Sequence, residues 1–340
     1  MLPGLARSAA PRLFVQHLIR RRALSITTSR STSPSKPVMT SPPAHQVFAT
    51  TNFSVSGASG LYDRARPSYP EQAIESILSR LPTPASPTDE GALIVELGAG
   101  TGLFTRGLLA ALLAPSSPYR GRVKKVLAVE PSEGMRVGFE KGLQKEGWVR
   151  GDEGKGVWKK EGEGLEVEIV DGTFEKIPVG EGEADLAFHW VGHSGGAAVS
   201  EIGRVLKPGA AWCKIWNLED RGTEWVKQLR DKYEKFEEGT PQYRHNYWQH
   251  IWDLPSFTSL FSLPEEHQKY YRSLPTTDDL VVDRVFSKSY ITALSEEQRS
   301  ELEKEMREVV KKGEGKEWID EKEGVFAYPY DTDLFTTIRN

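Results

Sequence analysis

Ile94-Val95-Glu96-Leu97-Gly98-Ala99-Gly100-Thr101-Gly102 is the stretch that decides how this chain folds. The apolar run from Ala92 to Leu97 reads as a short buried strand. Three glycines at alternate positions follow, and Leu103-Phe104-Thr105-Arg106-Gly107-Leu108-Leu109-Ala110-Ala111 then reads as a helix. Strand, glycine turn and helix together make a place where a ligand can come close to the backbone. A Cβ at the glycines would block that approach or forbid the turn.

The spacing separates two ligand classes. A dinucleotide loop reads G-x-G-x-x-G and aims its amides at a pyrophosphate. Here the pattern is acid-x-G-x-G-x-G, with Glu96 ahead of the first glycine. A carboxylate there repels a pyrophosphate and suits a cation that carries an amino acid group. S-adenosylmethionine, with its ammonium and sulfonium, is such a ligand. The competing reading is a tight strand-helix turn with no ligand.

Working outward, 340 residues with 38% hydrophobic content and 9 Trp are enough for a substantial core in one large domain or two small ones. No apolar run approaches the ~20 residues of a membrane helix. The single Cys213 rules out an intrachain disulfide framework and lies in an apolar run, which makes it a core residue. Residues 1 to 62 hold no Asp or Glu but carry Arg7, Arg12, Arg20, Arg21, Arg22, Arg30 and Lys36. Without the six arginines up to Arg30, the 44 Lys and Arg fall to 38 against 48 Asp and Glu, a net charge of −10. A body that acidic argues against general nucleic-acid binding.

Residues 1 to about 38 read as a mitochondrial targeting peptide, Arg- and Ser-rich, free of acids, with Leu13, Phe14, Leu18 and Ile19 near one helical face. Met39 can serve as an internal start for a cytoplasmic form, and Ser33 to Pro43 reads as linker. Tyr62-Asp63-Arg64-Ala65-Arg66-Pro67-Ser68-Tyr69-Pro70 precedes a helix from Glu71 to Leu81. Tyr62, Arg64 and Arg66 are placed to close over a carboxylate, of cofactor or of substrate; the plainer reading is a structural turn. Val123 to Val129 is a second strand ending in Glu130, an acid placed to accept hydrogen bonds from ribose hydroxyls. Met135 is expected to flank the adenine. Residues 141 to 164 read as a solvated loop. Leu165 to Val170 is a strand near the sheet edge, followed by Thr173 and Phe174 as adenine contacts. Ala184 to Val191 is the fourth strand and its exit, and Ala210 to Trp216 the fifth. Strands alternating with helices predict an α/β doubly wound sheet with ligands at the carboxyl ends of the strands.

In order, Glu96 to Gly102, Glu130, Gly172-Thr173-Phe174-Glu175, Phe188-His189-Trp190 and Arg204-Val205-Leu206-Lys207-Pro208-Gly209 resemble the motifs of class I S-adenosylmethionine-dependent methyltransferases. The Arg66 to Pro70 approach and the Trp216-Asn217 exit resemble a small-molecule branch that includes enzymes similar to trans-aconitate methyltransferase. The resemblance covers residues 60 to 217 well and the tail loosely. It implies a Rossmann-like seven-stranded sheet of order 3-2-1-4-5-7-6, the seventh strand antiparallel. It also implies a cofactor set of Glu96, Gly98, Ala99, Gly100, Thr101, Gly102, Glu130, Pro131, Met135, Thr173, Phe174 and Tyr62. The domains expected are a targeting peptide and linker over 1–45 and a methyltransferase core over 46–217. A helical substrate-capping insertion over 218–300 follows, then a C-terminal helix and closing strands over 301–340.

For methyl transfer the cofactor brings an activated leaving group, so the protein has to align the partners and exclude water. His189 is the candidate base for an acceptor that is protonated at working pH, with Trp190 in the pocket; the alternative is an imidazole that only shapes it. Arg64, Arg66 and Trp248 are the candidate substrate contacts, and a carboxylate acceptor would need no base. Two other readings compete. One is a protein that keeps the fold for binding or assembly without catalysis. The other is a serine hydrolase, because Gly192-His193-Ser194-Gly195-Gly196 fits G-x-S-x-G, with Asp253 and His267 formally available. That reading leaves Glu96, the glycines and Glu130 unexplained. His189 and His193 lack a third ligand, so no metal site is expected.

Overall fold

The computed structural model describes residues 58–83, 91–151, 156–188, 195–237, 240, 242–263 and 265–340. The targeting segment and its linker, His189, Trp190 and Ser194 lie outside these residues.

The quoted stretch begins with β1 (Ala92–Leu97), which lies mid-sheet between two parallel partners, β2 (Val123–Val129) and β6 (Ala184–Phe188). β5 (Glu166–Val170) runs parallel beside β2, and β7 (Leu206–Glu219) beside β6. β10 (Val325–Ile338) runs antiparallel between β7 and β8 (Glu266–Thr276). The central order is thus β5-β2-β1-β6-β7-β10-β8. Counted along the chain, these strands stand 3-2-1-4-5-7-6, with the seventh, β10, antiparallel to the others. β3 (Val149–Arg150) and β4 (Val157–Lys159) add an antiparallel pair outside β5, and β9 (Trp318–Asp320) pairs with β10.

Three sequence expectations are corrected. Residues 141–164 are not loop throughout, because β3 and β4 lie there and cover β5, which is therefore not the edge strand. Trp148 and Trp158 supply the reason: both are buried in the core with Leu165, Val167 and Ile169. The span 218–300 is not wholly helical, since it contains β8. The closing segments that the sequence suggests, Val325 to Tyr328 and Leu334 to Ile338, are parts of one long strand.

Three helices cover one face of the sheet: α2 (Glu71–Leu78), α3 (Leu103–Leu113) and α4 (Glu133–Lys145). Their Ile77, Leu108 and Phe139 pack with Ile94, Val126 and Leu186. The other face carries α5 (Gly196–Val205) and α7 (Pro255–Leu260), where Val199, Ile202 and Phe257 join Val95, Leu127 and Trp212. Ile94 and Val95 thus serve opposite layers, as the two-residue period of a strand requires. Local chemistry sets the helix starts. Ser132 caps α4 by accepting from Met135 N. Ser295 and Gln298 form a capping box at the head of α10 (Glu296–Lys312), and Gly313 ends it in the left-handed region.

A third core sits over the carboxyl ends of the parallel strands. β10 begins beyond the end of β7, with Tyr330 already opposite Glu219. On its projecting part, Phe326, Tyr328 and Tyr330 pack with α6 (Glu224–Tyr233), α8 (Asp278–Phe286), α9 (Ser289–Thr292) and α10. α1 (Ala58–Ala65) rests on α8 and α4.

Cys213 of β7 is fully buried beside Thr336, and burial pushes its thiol up to about 11. We expect the native protein to resist a thiol reagent at pH 8 and to react with one equivalent on unfolding in denaturant, read by absorbance.

Candidate active site

Gly98, Gly100 and Gly102 have φ of 68°, 58° and 74°, which places all three in the left-handed region. The loop they form is tied to the end of β2. Gly98 N and Ala99 N donate to Val129 O at 2.7 and 3.1 Å. Gly100 N donates to Glu130 Oε2 at 2.8 Å, and Ser132 N to Glu130 Oε1 at 2.8 Å. A Cβ on Gly102 would stand 2.2 Å from the Phe139 ring, so that glycine allows α3 to pack on α4. A Cβ on Gly100 would meet nothing within 4 Å. Its bare Cα faces open space at the loop's crest, the place a ligand would cross.

Two carboxylates stand beside this loop, Glu96 ahead of it and Glu130 at the end of β2. Glu96 is buried and accepts a hydrogen bond from Thr105 Oγ1 of α3. Burial pushes its carboxyl up to about 8; Thr105 opposes the shift and the nearby Glu130 adds to it. Burial also raises Glu130, against the two backbone N–H donors that favour its anion. With both oxygens engaged once, the Glu130 carboxylate keeps lone pairs for further donors. This donor set fits the cation read from the sequence. Glu96 is a buried carboxyl that a positive charge would ionise, and Glu130, at the tip of the second strand, has lone pairs left for hydroxyl donors.

The other expected cofactor residues divide. Met135 is buried in the first turn of α4, and Pro131 is half-buried just before its cap. Thr173 N donates to Lys176 O at 3.4 Å and closes a turn, while half-buried Phe174 packs against the core around Val129. Thr101 is wholly buried, and among the described residues its hydroxyl has no partner. Tyr62 lies under the Arg66 guanidinium, 4.8 Å from its ring centroid.

The substrate candidates separate more sharply. Arg66 Nε and Nη2 donate to Ser287 Oγ and Ser287 O at 3.0 and 3.1 Å, bridging to the cap. Arg64 is exposed and bonds back to Gly60 O at 3.2 Å, one turn earlier in α1. Trp248 is buried in an aromatic cluster with Trp216, Tyr243 and Phe335. His267 pairs with Asp333 at 2.7 Å and stacks on Phe335, so its acid is not Asp253. Among the described residues no group of His, Cys, Asp and Glu could hold a metal.

Sequence reasoning missed two groups. Tyr69, Phe104 and Phe188 form an aromatic wall, with centroids 4.9 and 4.4 Å apart, and the Tyr69 hydroxyl is raised by burial, Tyr62 and Glu96. Glu219, Tyr233, Arg284 and Lys288 meet at the end of β7. The Tyr and Pro beside Arg66 could have pointed to the first. The second joins residues some seventy positions apart and has no local pattern.

Residues 95–213 match a methyltransferase domain. An uncharacterized methyltransferase of Mycobacterium tuberculosis is 27% identical over 244 residues, 70% of this chain and 78% of that protein. An uncharacterized methyltransferase-like protein of Schizosaccharomyces pombe is 26% identical over 259 residues, 74% of this chain and 83% of that protein. Among solved structures, the YcgJ protein of Bacillus subtilis is similar over 80% of this chain and 99% of its own, at 15% identity and a TM-score of 0.43.

Glu96 generates a pH test. Its carboxyl, raised to about 8, is protonated at pH 7, and a bound ammonium favours the anion. Binding S-adenosylhomocysteine at pH 7 is therefore expected to release about one proton per site. Affinity should rise by at most tenfold per unit between pH 6 and 8 and level off above. Calorimetry in buffers of different ionisation enthalpy measures the release, which Glu96→Gln should abolish.

Proposed function

We propose that this chain, which is a class I S-adenosylmethionine-dependent methyltransferase, passes a methyl group from that cofactor to a small-molecule acceptor. The observation that carries the acceptor's size is the roof over the strand ends. Arg66 fastens the α1 segment to Ser287 at the end of α8, and α8 shares a core with α6 and α10. A macromolecular surface would have to lift that roof, whereas a metabolite has only to pass beneath it. The acidic body supports the same reading against nucleic acid.

When bound, the cofactor supplies a methyl already activated on a sulfonium. The chain's part is placement. Glu96 takes the ammonium end, Glu130 the ribose, and the glycine loop lets the ligand lie against the backbone. Met135, Thr173 and Phe174 border the adenine. The roof excludes water and holds the acceptor for in-line attack, and this positioning and desolvation are the main source of rate. We assign His189 as base for an acceptor protonated at working pH, with Trp190 shaping the pocket. Residues 1–45 are assigned to import into the mitochondrial matrix, which a fluorescent-protein fusion of that segment tests in cells.

Purified protein, methyl-labelled cofactor and a cell extract test the central reading. Label is expected in the small-molecule fraction; label confined to protein or RNA would refute it. Glu130→Gln removes one acceptor oxygen and is expected to weaken S-adenosylhomocysteine roughly tenfold or more by calorimetry.

A further inference from the structure

At the end of β7, beneath the roof, one carboxylate is outnumbered by cations. Glu219, Arg284 and Lys288 are 5%, 4% and 8% exposed. Lys288 Nζ and Arg284 Nη2 lie 3.0 and 3.1 Å from the same Glu219 Oε1, and Tyr233 donates its hydroxyl to Oε2 at 3.0 Å. Half-buried Arg66 is the third cation and feels the repulsion of Arg284. The neighbouring buried acid cannot balance them, because Glu237 accepts from Tyr290 at 2.9 Å and from Arg244 at 2.7 Å. Arg230 has its own acid, Glu234, at 2.6 Å.

Donors are left over as well as charge. Among the described residues, Arg284 Nε and Nη1 are buried without a hydrogen-bond partner, and so is the Tyr328 hydroxyl. Buried polar groups in native proteins are nearly always satisfied, and a guanidinium edge with idle donors is the costly exception. Such an edge matches the paired oxygens of a carboxylate or phosphate. Burial above all pushes the Lys288 ammonium down to about 7, against the pull of Glu219, while Arg284 and Arg66 push it further.

We propose that Arg284 and Lys288 are the acceptor's anion subsite, docking a carboxylate or phosphate group of the acceptor while Arg66 and Tyr62 close over it. This rests on the small-molecule reading above and names the acceptor's chemistry. Tyr69 feels both Glu96 on the glycine-loop side and Arg66, and Arg66 in turn feels Arg284. An anion arriving at the subsite satisfies the idle donors and offsets the surplus charge. Part of the acceptor is thereby fixed while another part meets the methyl.

The test titrates protein saturated with S-adenosylhomocysteine with inorganic phosphate, succinate, and dimethyl succinate as the uncharged counterpart. Phosphate or succinate should bind and dimethyl succinate should not. Lys288→Met and Arg284→Lys should each weaken the anion about tenfold or more with S-adenosylhomocysteine affinity unchanged, and the half-buried Arg66→Gln should weaken the anion several-fold. Arg284→Lys keeps the charge but loses the fork, so it separates docking from bulk electrostatics. Anion binding equal in all variants, equal binding of the diester, or no anion binding to the loaded protein would overturn the proposal. In the extract experiment a methylated acceptor that is neutral refutes the anion subsite alone, whereas label in a macromolecule refutes the small-molecule reading itself.

Discussion

Two carboxylates buried at adjacent strand ends are the constraint around which this structure is arranged. Taking a carboxylate out of water is costly unless its oxygens find donors. Glu130 finds two in the backbone, Gly100 N and Ser132 N, and in accepting them it pins the glycine loop to β2 and places the head of α4. Glu96, among the described residues, finds only the Thr105 hydroxyl, and burial raises its carboxyl to about 8. One acid is therefore a fixed strut with capacity to spare. The other responds to whether a cation is present.

The glycines follow from the same geometry. The loop must turn three times through left-handed backbone to leave β1, pass the Glu130 carboxylate and enter α3. Gly102 additionally admits the Phe139 ring, and this contact brings α3 and α4 together on one face. The glycine turn and the core packing thus draw on the same few residues.

The length of β10 joins sheet to roof. Its later half pairs with β7 and its start projects past β7 to seat α6, α8 and α10. Buried charge is handled differently on either side of that strand. Lys214 is matched one to one with Glu265, which also accepts from Trp252 Nε1 at 2.9 Å, and its ammonium lies over Trp212 at 4.4 Å. That pair is self-contained and reads as a brace. The Glu219 carboxylate is paired with two cations, Arg284 and Lys288, with Arg66 close by, and this group leaves donors idle; the difference in pairing is what marks it for a ligand.

The sequence by itself determined the central architecture. Strands with strong apolar runs, β1, β2 and β6, and the motif order imply the sheet and the Glu96-to-Gly102 turn beside Glu130, because those signals are local and the hydrophobic period is strong. It was silent on β8, whose inward positions Gln268, Tyr270 and Arg272 are half-buried polar and aromatic side chains that carry no hydropathy alternation. The sequence also could not choose among Arg64, Arg66 and the distant Arg284 and Lys288. Two of the three arginines lie two residues apart near the end of one helix, yet Arg64 faces solvent and Arg66 reaches the cap. Which charges meet in a buried site depends on how elements pack across the chain. No pattern within a window of residues encodes that packing, so only the tertiary structure decided it.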